Sequence, residues 1–138
     1  MLCVYKFTFS FRNALSHKKT IKLADLKSHR FILREAGSGT RMAADQYFRK
    51  KKFKPNIRLE LGSNEAVKES VAGGLGLGVI SQHALQGMNR GNGVRVLEVE
   101  GFPLPSAWHM VHHTHQKLSP AALAFRKHVL SQIALKSK

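Results

Sequence analysis

Apolar and polar positions come in short blocks through the middle of the chain, and the blocks switch between two periods. Phe31 to Arg34 (FILR) is a brief apolar run of strand length, broken at once by AGSG, where Gly37 and Gly39 permit a sharp turn. Ser38 or Thr40 can then cap a helix through Met42, Ala43, Tyr47 and Phe48, which fades in a lysine run before Pro55. Ile57, Leu59 and Leu61 alternate with Arg58 and Glu60, the period of a half-buried strand. Gly62 and Ser63 turn the chain into NEAVKESVA, where Val67 and Val71 share a helical face and Gly73 or Gly74 supplies the C-terminal cap. Leu75 to Ile80 (LGLGVI) is apolar throughout and reads as a central parallel strand.

Further along, Ser81 caps a short helix QHALQGM, the loop NRGNG leads to an alternating strand over 94–99, and GFPLP marks a boundary. Trp108 to Thr114 reads as a strand, and Ser119-Pro120 opens a helix striped by Ala122, Phe125, Val129 and Ile133. At the other end, Leu2 to Phe9 is a candidate strand, followed by a basic loop and a short turn at LADL. Strands alternating with helices predict an α/β fold built on an open, mostly parallel sheet with helices against it.

Length and composition narrow the class. The 138 residues suit one domain, and 43% hydrophobic content argues against wholesale disorder. A single cysteine, Cys3, excludes both an internal disulfide scaffold and a cysteine-based zinc module, and points to a reducing compartment such as the cytoplasm. No apolar run approaches the ~18–20 residues needed to cross a bilayer, so no membrane partner is expected.

Charge changes the picture more. Twenty-three Lys and Arg against eight Asp and Glu give +15, the electrostatic footprint common among nucleic-acid binders. All eight acids lie between Asp25 and Glu100, whereas residues 1–24 and residues 101–138 each carry five basic residues and no acid. The densest cluster, Arg49 to Lys52 with Lys54, falls at a helix end that favours cations; it reads either as a solvated terminus or as a phosphate-contacting patch.

Candidate chemistry is sparse. AGGLGLG resembles a dinucleotide fingerprint, but its glycines leave a helix and enter a strand, the reverse of what a pyrophosphate site needs. On a strand, His109, His113 and His115 of HMVHHTH would share one face. No acid follows Glu100 to support them as metal ligands, so no metal and no cofactor is expected. GSGT lacks the nucleophile-elbow pattern and no carboxylate pair is evident, so no catalytic residue is assigned and the chain is not read as an enzyme. What remains is a pair of helix starts, GSGTR at 37–41 and GSNEA at 62–66, each following a strand. In an open α/β sheet such starts aim unpaired N–H groups into the crevice beyond the strand ends. Ser38, Thr40, Ser63 and Asn64 would add hydroxyl and amide partners and Arg34 or Arg41 a cation, which suits a small carboxylate or phosphate ester. The same residues would also cap helices in any α/β domain.

Three segments in colinear order, FILREAGSGTRMAADQYF, LGSNEAVKESVAGGLGLGVISQHAL and VLEVEGFPLPSAWHMVHHTHQKLSPAALAFRKHVL, resemble the effector-binding region of LysR-type transcriptional regulators, and more narrowly the regulators of Calvin-cycle (RuBisCO) operons. The resemblance spans about Leu23 to Leu130. It implies a type II periplasmic-binding-protein fold and a small anionic effector, phosphorylated metabolites or nicotinamide nucleotides being typical of that subgroup. It also implies that Ser38, Gly39, Thr40 and Arg41 form one helix-start contact and Ser63, Asn64 and Glu65 the other. Mapped onto that family, residues 1–22 correspond to the crossover strand and a basic loop, with Lys6 and Arg12 unexpected there. Residues 23–105 correspond to the second effector lobe, and residues 106–138 to the return strand and the helix that pack on the first lobe. The expected winged helix-turn-helix and most of the first lobe have no counterpart, so sequence-specific DNA binding by this chain alone is not expected. An apolar patch of Val111, Phe125 and Val129 is expected to drive homodimerisation or pairing with a longer regulator. Two other readings are a basic protein binding nucleic acid without sequence preference, and a vestigial interaction fragment that pairs with a full-length regulator.

Overall fold

Phe31, Ile32 and Leu33 are apolar without alternation, the pattern of a strand covered on both faces. In the computed structural model, which describes residues 2–10, 15, 19–85, 93–107 and 109–136, all three are fully buried. They form β2 (Arg30–Arg34), which lies between β3 (Asn56–Leu61) and β4 (Leu77–Ser81) and runs parallel to both. On the other side of β4 comes β1 (Leu2–Ser10), then β5 (Val94–Leu97), giving the order β3-β2-β4-β1-β5; β6 (Leu104–Ala107) also pairs with β1.

Four of the five strands in that order point the same way. β1 opposes them, antiparallel to both β4 and β5. LGLGVI therefore has a parallel neighbour on one side only. Strand direction is not encoded in apolar alternation, so the N-terminal strand's orientation could not be read from its pattern. The edge strand β3 is half-exposed, and a register shift opposite Phe31 and Ile32 leaves Arg58 unpaired in the ladder.

Helices cover the two faces. α1 (Gly39–Lys50) buries Ala44 and Phe48 against Phe7, Phe31, Leu33, Leu77 and Val79. α2 (Asn64–Ala72) buries Val67 and Val71 against Ile32 and Ile80 on the opposite face. The odd- and even-numbered residues of β2 and β4 thus feed different cores, as a pleated strand requires. The first core is aromatic: Phe31 meets Phe48 edge-on at 5.9 Å and Phe7 at 6.2 Å. Sequence periodicity assigned Met42 to the apolar side of α1, but Met42 is 58% exposed and the buried line is Thr40, Ala44 and Phe48. Of the residues read as that apolar side, Phe48 is buried and Ala43 and Tyr47 are half-buried, while Ala44, which the reading did not include, is fully buried.

The described residues form two compact units, Leu2–Ser106 and Ala107–Lys138. Within the second, residues 109–113 have no regular structure, so the strand expected over 108–114 is absent among those described. Alternation makes a strand only where a neighbour offers ladder hydrogen bonds, and here β6 ends at Ala107. α3 (Pro120–Lys136) begins as expected, with the Ser119 hydroxyl accepting from the Ala122 N–H at 3.3 Å. Arg12, Trp108 and the 86–92 stretch of QHALQGM and NRGNG lie outside the described residues, as do the side chains of Lys6 and Ile133.

Candidate functional site

The register of β2 against β3 pairs Arg34 with Leu61, so the two strands end side by side and their following turns are neighbours. Each turn delivers a serine to the start of a helix. The Ser38 hydroxyl accepts from the Arg41 N–H at 3.1 Å, and the Ser63 hydroxyl accepts from the Ala66 N–H at 3.0 Å. Both serines take extended backbone, the usual geometry of an N-cap. Two helix starts therefore lie at the sheet's carboxyl edge, one from each face, each presenting the positive end of a helix dipole there.

Arg34 ties them. Its guanidinium donates to the Asn64 side-chain oxygen at 3.1 Å and to the Gly62 carbonyl at 3.3 Å, crossing from the end of β2 to the turn before α2. The same group forks onto the Glu35 carboxylate at 2.8 and 2.9 Å. The side chain keeps 16% exposure. Hydrogen bonding from Arg34 holds the Glu35 carboxyl below the ordinary glutamate range, and the reciprocal bond raises the Arg34 guanidinium further.

Arg41 is placed differently. It donates back to the Arg34 carbonyl at 2.9 Å, pairs with Asp45 one turn on at 3.0 Å, and reaches Glu60 of β3 at 2.9 Å. At 12% exposure, with two carboxylates and a carbonyl around it, its charge is met inside the protein and braces the end of β2 against α1 and β3. Thr40 is buried and Gly39 exposed beside it. Asn64 has its oxygen engaged by Arg34, and Glu65 is exposed in the first turn of α2. Of the residues expected at the site, the structure gathers Ser38, Gly39, Thr40 and Arg41 at one helix start and Ser63, Asn64 and Glu65 at the other.

One neighbour escaped the sequence reading. Tyr5 of β1 pairs with Ser81 at the carboxyl end of β4, and its hydroxyl lies 3.4 Å from where a side chain on Gly39 would begin. A buried phenol thus reaches the start of α1 from the next strand over. The available signal was a tyrosine in the row otherwise continued by Phe7, but its nearness to Gly39 depends on β1 inserting beside β4.

The other motifs carry less. Gly74 has φ +77° as the left-handed residue closing α2, and a side chain on Gly76 would meet the Arg30 carbonyl oxygen at 2.6 Å, so AGGLGLG serves a helix exit and a close strand approach. His113 and His115 have ring centres 6.1 Å apart in an exposed segment, and no group of three metal-ligating side chains occurs among the described residues. No helix of the described residues is long and apolar enough to cross a membrane.

Comparison with known proteins follows the same outline. The family described as "LysR substrate binding domain" matches residues 8–134. The chain is 40% identical over 116 residues to the HTH-type transcriptional activator CmpR of Synechocystis sp., covering 83% of this chain and 38% of that protein. It is also 40% identical over 120 residues to a RuBisCO operon transcriptional regulator of Acidithiobacillus ferrooxidans, covering 87% of this chain and 39% of that protein. Among solved structures, the regulatory domain of CcmR from Synechocystis PCC6803, in complex with 2-PG, superposes with a TM-score of 0.87 at 31% identity, over 95% of this chain and 63% of that one. The effector binding domain of QuiR in complex with shikimate shares the fold, with a TM-score of 0.72 at 20% identity over 91% of this chain and 59% of that one. The chain spans about two fifths of the length of the curated relatives named here.

Proposed function

The chain belongs to the LysR substrate binding domain family, and from that premise we propose that it is an effector-sensing module of a transcription regulator, non-catalytic and cytoplasmic, which takes a small phosphorylated anion at the starts of α1 and α2. The observation that carries this reading is the juxtaposition of the two serine-capped helix starts with the Arg34 guanidinium between them. Backbone N–H groups at a helix start bind anions, and a bordering arginine adds charge-assisted hydrogen bonds. The Tyr5 hydroxyl, close to Gly39, gives the same place a neutral donor. The 2-PG complex of the CcmR domain is of the chemistry this arrangement suits. In this reading Arg34 contacts the anion, whereas Arg41 holds the α1 start in position through Asp45 and Glu60.

The test is isothermal titration of this chain with 2-phosphoglycolate, with glycolate and shikimate as controls. Saturable one-to-one binding of the phosphorylated acid, with much weaker binding of glycolate, is the expected result. Equal affinity for glycolate would remove the phosphate from the reading, and no binding of any of the three would overturn the site.

A further inference from the structure

At the end of α1 opposite Ser38, five lysines from two separate segments surround a pocket of about 550 Å3. Lys22 and Lys27 flank the short turn Leu23–Leu26, while Lys51, Lys52 and Lys54 come from the chain between α1 and β3. The volume lies within the ~300–1,000 Å3 typical of small-molecule sites. Glu100 lines it, and in the turn between Lys22 and Lys27 the Asp25 carboxylate accepts from the Lys22 backbone N–H at 3.0 Å. Among the described residues, none of the five lysines forms an ion pair.

The carboxyl end of a helix attracts cations by itself, and Arg49 and Lys50 in the last turn of α1 already meet that demand. The dipole does not account for Lys22 and Lys27, which belong to another element yet line the same pocket. Nor does it account for the backbone. Lys52 has φ +51°, in the left-handed position where a helix exit of this type ordinarily has glycine. The exit is otherwise regular, with the Phe53 N–H donating to the Phe48 carbonyl at 2.9 Å and that of Lys52 to the Arg49 carbonyl at 3.0 Å. A lysine thus occupies the glycine position at the pocket's edge, a departure of the kind that gathers at ligand sites.

The pocket's walls are firm beneath this cationic rim. Phe53 packs edge-on against Phe31 at 5.8 Å, and Tyr47 against Phe102 at 5.0 Å. The Tyr47 hydroxyl donates to the Glu100 carbonyl at 2.6 Å, and Gly101 allows the approach, since a side chain there would come within 2.6 Å of that oxygen.

We propose that this pocket is a second anion site, separate from the helix starts, and that it takes a small molecule carrying at least two phosphate groups. Five cations against the carboxylates of Glu100 and Asp25 leave an excess of positive charge that a ligand with several negative charges relieves. A lysine ammonium is a point charge on a flexible stem, suited to phosphates spaced along a chain rather than to planar recognition. Convergence on a concave pocket with an aromatic wall, not spread along a stripe, favours a small polyanion over the backbone of a duplex.

The test titrates the whole chain with tripolyphosphate, with inorganic phosphate, and with a short DNA duplex, at low and high salt. The variants are Lys51→Gln/Lys54→Gln and, as an equal change in net charge outside the pocket lining, Lys68→Gln/Arg95→Gln on α2 and β5; none of the four side chains is buried, and circular dichroism checks the fold. One equivalent of tripolyphosphate should bind, more tightly than phosphate. The pocket variant should weaken it about tenfold and the control variant less than about twofold. Equal weakening in both variants would show attraction to net charge alone and overturn the site. A duplex that binds where tripolyphosphate fails to saturate would overturn the choice of ligand.

Discussion

The Arg34 guanidinium donates to the Asn64 side-chain oxygen at 3.1 Å, joining the end of one strand to the first residue of the helix that follows its neighbour. Because Arg34 also forks onto Glu35 and reaches the Gly62 carbonyl, one side chain sets the spacing of the two helix starts. Replacing it with glutamine should lower affinity for 2-phosphoglycolate by about tenfold, the scale of a lost charge-assisted hydrogen bond, with about 1 kcal/mol lost in stability. Lysine should restore only part of the affinity, since an ammonium cannot span Glu35, Asn64 and Gly62 together. Titration calorimetry and urea denaturation of both variants separate the two effects. Unchanged affinity in Arg34→Gln would remove Arg34 from the site.

Glu35 provides a pH signature of the same contact. Its carboxyl is held below the ordinary glutamate range by the hydrogen bond from Arg34. A depressed folded-state value means that the stabilisation is present above the ordinary unfolded value of ~4.3, and is lost as pH falls from there through the folded value. Carbon-13 NMR of the side-chain carboxyl should therefore show Glu35 titrating below the ordinary glutamate range. In Arg34→Gln its midpoint should move up to the ordinary range. Coincident midpoints in the two proteins would mean that the Arg34 fork is not formed in solution.

The sequence carried the local half of this site and not the relational half. Ser38, offered with Thr40 as the alternative, and Ser63 were legible as caps because a serine after a glycine-containing turn, ahead of an apolar stripe, has a local mechanism that needs no partner from elsewhere. Both helices, β2, β3 and the buried run of β4 were legible for the same reason. Tyr5 was not, since its place beside Gly39 depends on the N-terminal strand entering next to β4, seventy-odd residues along the chain. The lysine pocket was half legible. Lys51, Lys52 and Lys54 form one visible run, but Lys22 and Lys27 join them only through the folded core. The strand expected at 108–114 failed in the same way, as its pattern lacked a partner rather than a period.

Gly76 shows how a glycine-rich motif can be wholly structural. A methyl group there would sit 2.6 Å from the Arg30 carbonyl oxygen and 3.2 Å from Ile32 Cγ1, and a backbone carbonyl cannot swing aside as a side-chain tip can. Gly76→Ala should lower the unfolding free energy by about 2–3 kcal/mol, in the range of overpacking in a filled interior. Gly62→Ala meets nothing within 4 Å and serves as the matched control. Chemical denaturation of the two variants decides the matter. Equal, small effects would mean that β2 and β4 separate at no great cost.

The unit Ala107–Lys138 carries the last prediction. Val111 is 85% exposed, Phe125 62% and Leu130 55%, and Val129 is half-buried, so the apolar patch expected from the sequence includes residues open to water. On α3, Leu123 and Leu130 are seven residues apart and share a side, while Phe125 lies well round the helix from both, at ~100° per residue. A helix apolar on more than one side is ordinarily enclosed by other structure, and exposed apolar area of this kind marks an interface. The chain is therefore expected to self-associate, with homodimers the simplest closed form. Because apolar burial is not screened by salt, sedimentation velocity should show a dimer that persists at high ionic strength, against the steep dissociation that charge-driven contacts undergo. Phe125→Asp should shift the distribution toward monomer without unfolding Leu2–Ser106. A chain that stays monomeric at high concentration would leave α3 without a role in self-association.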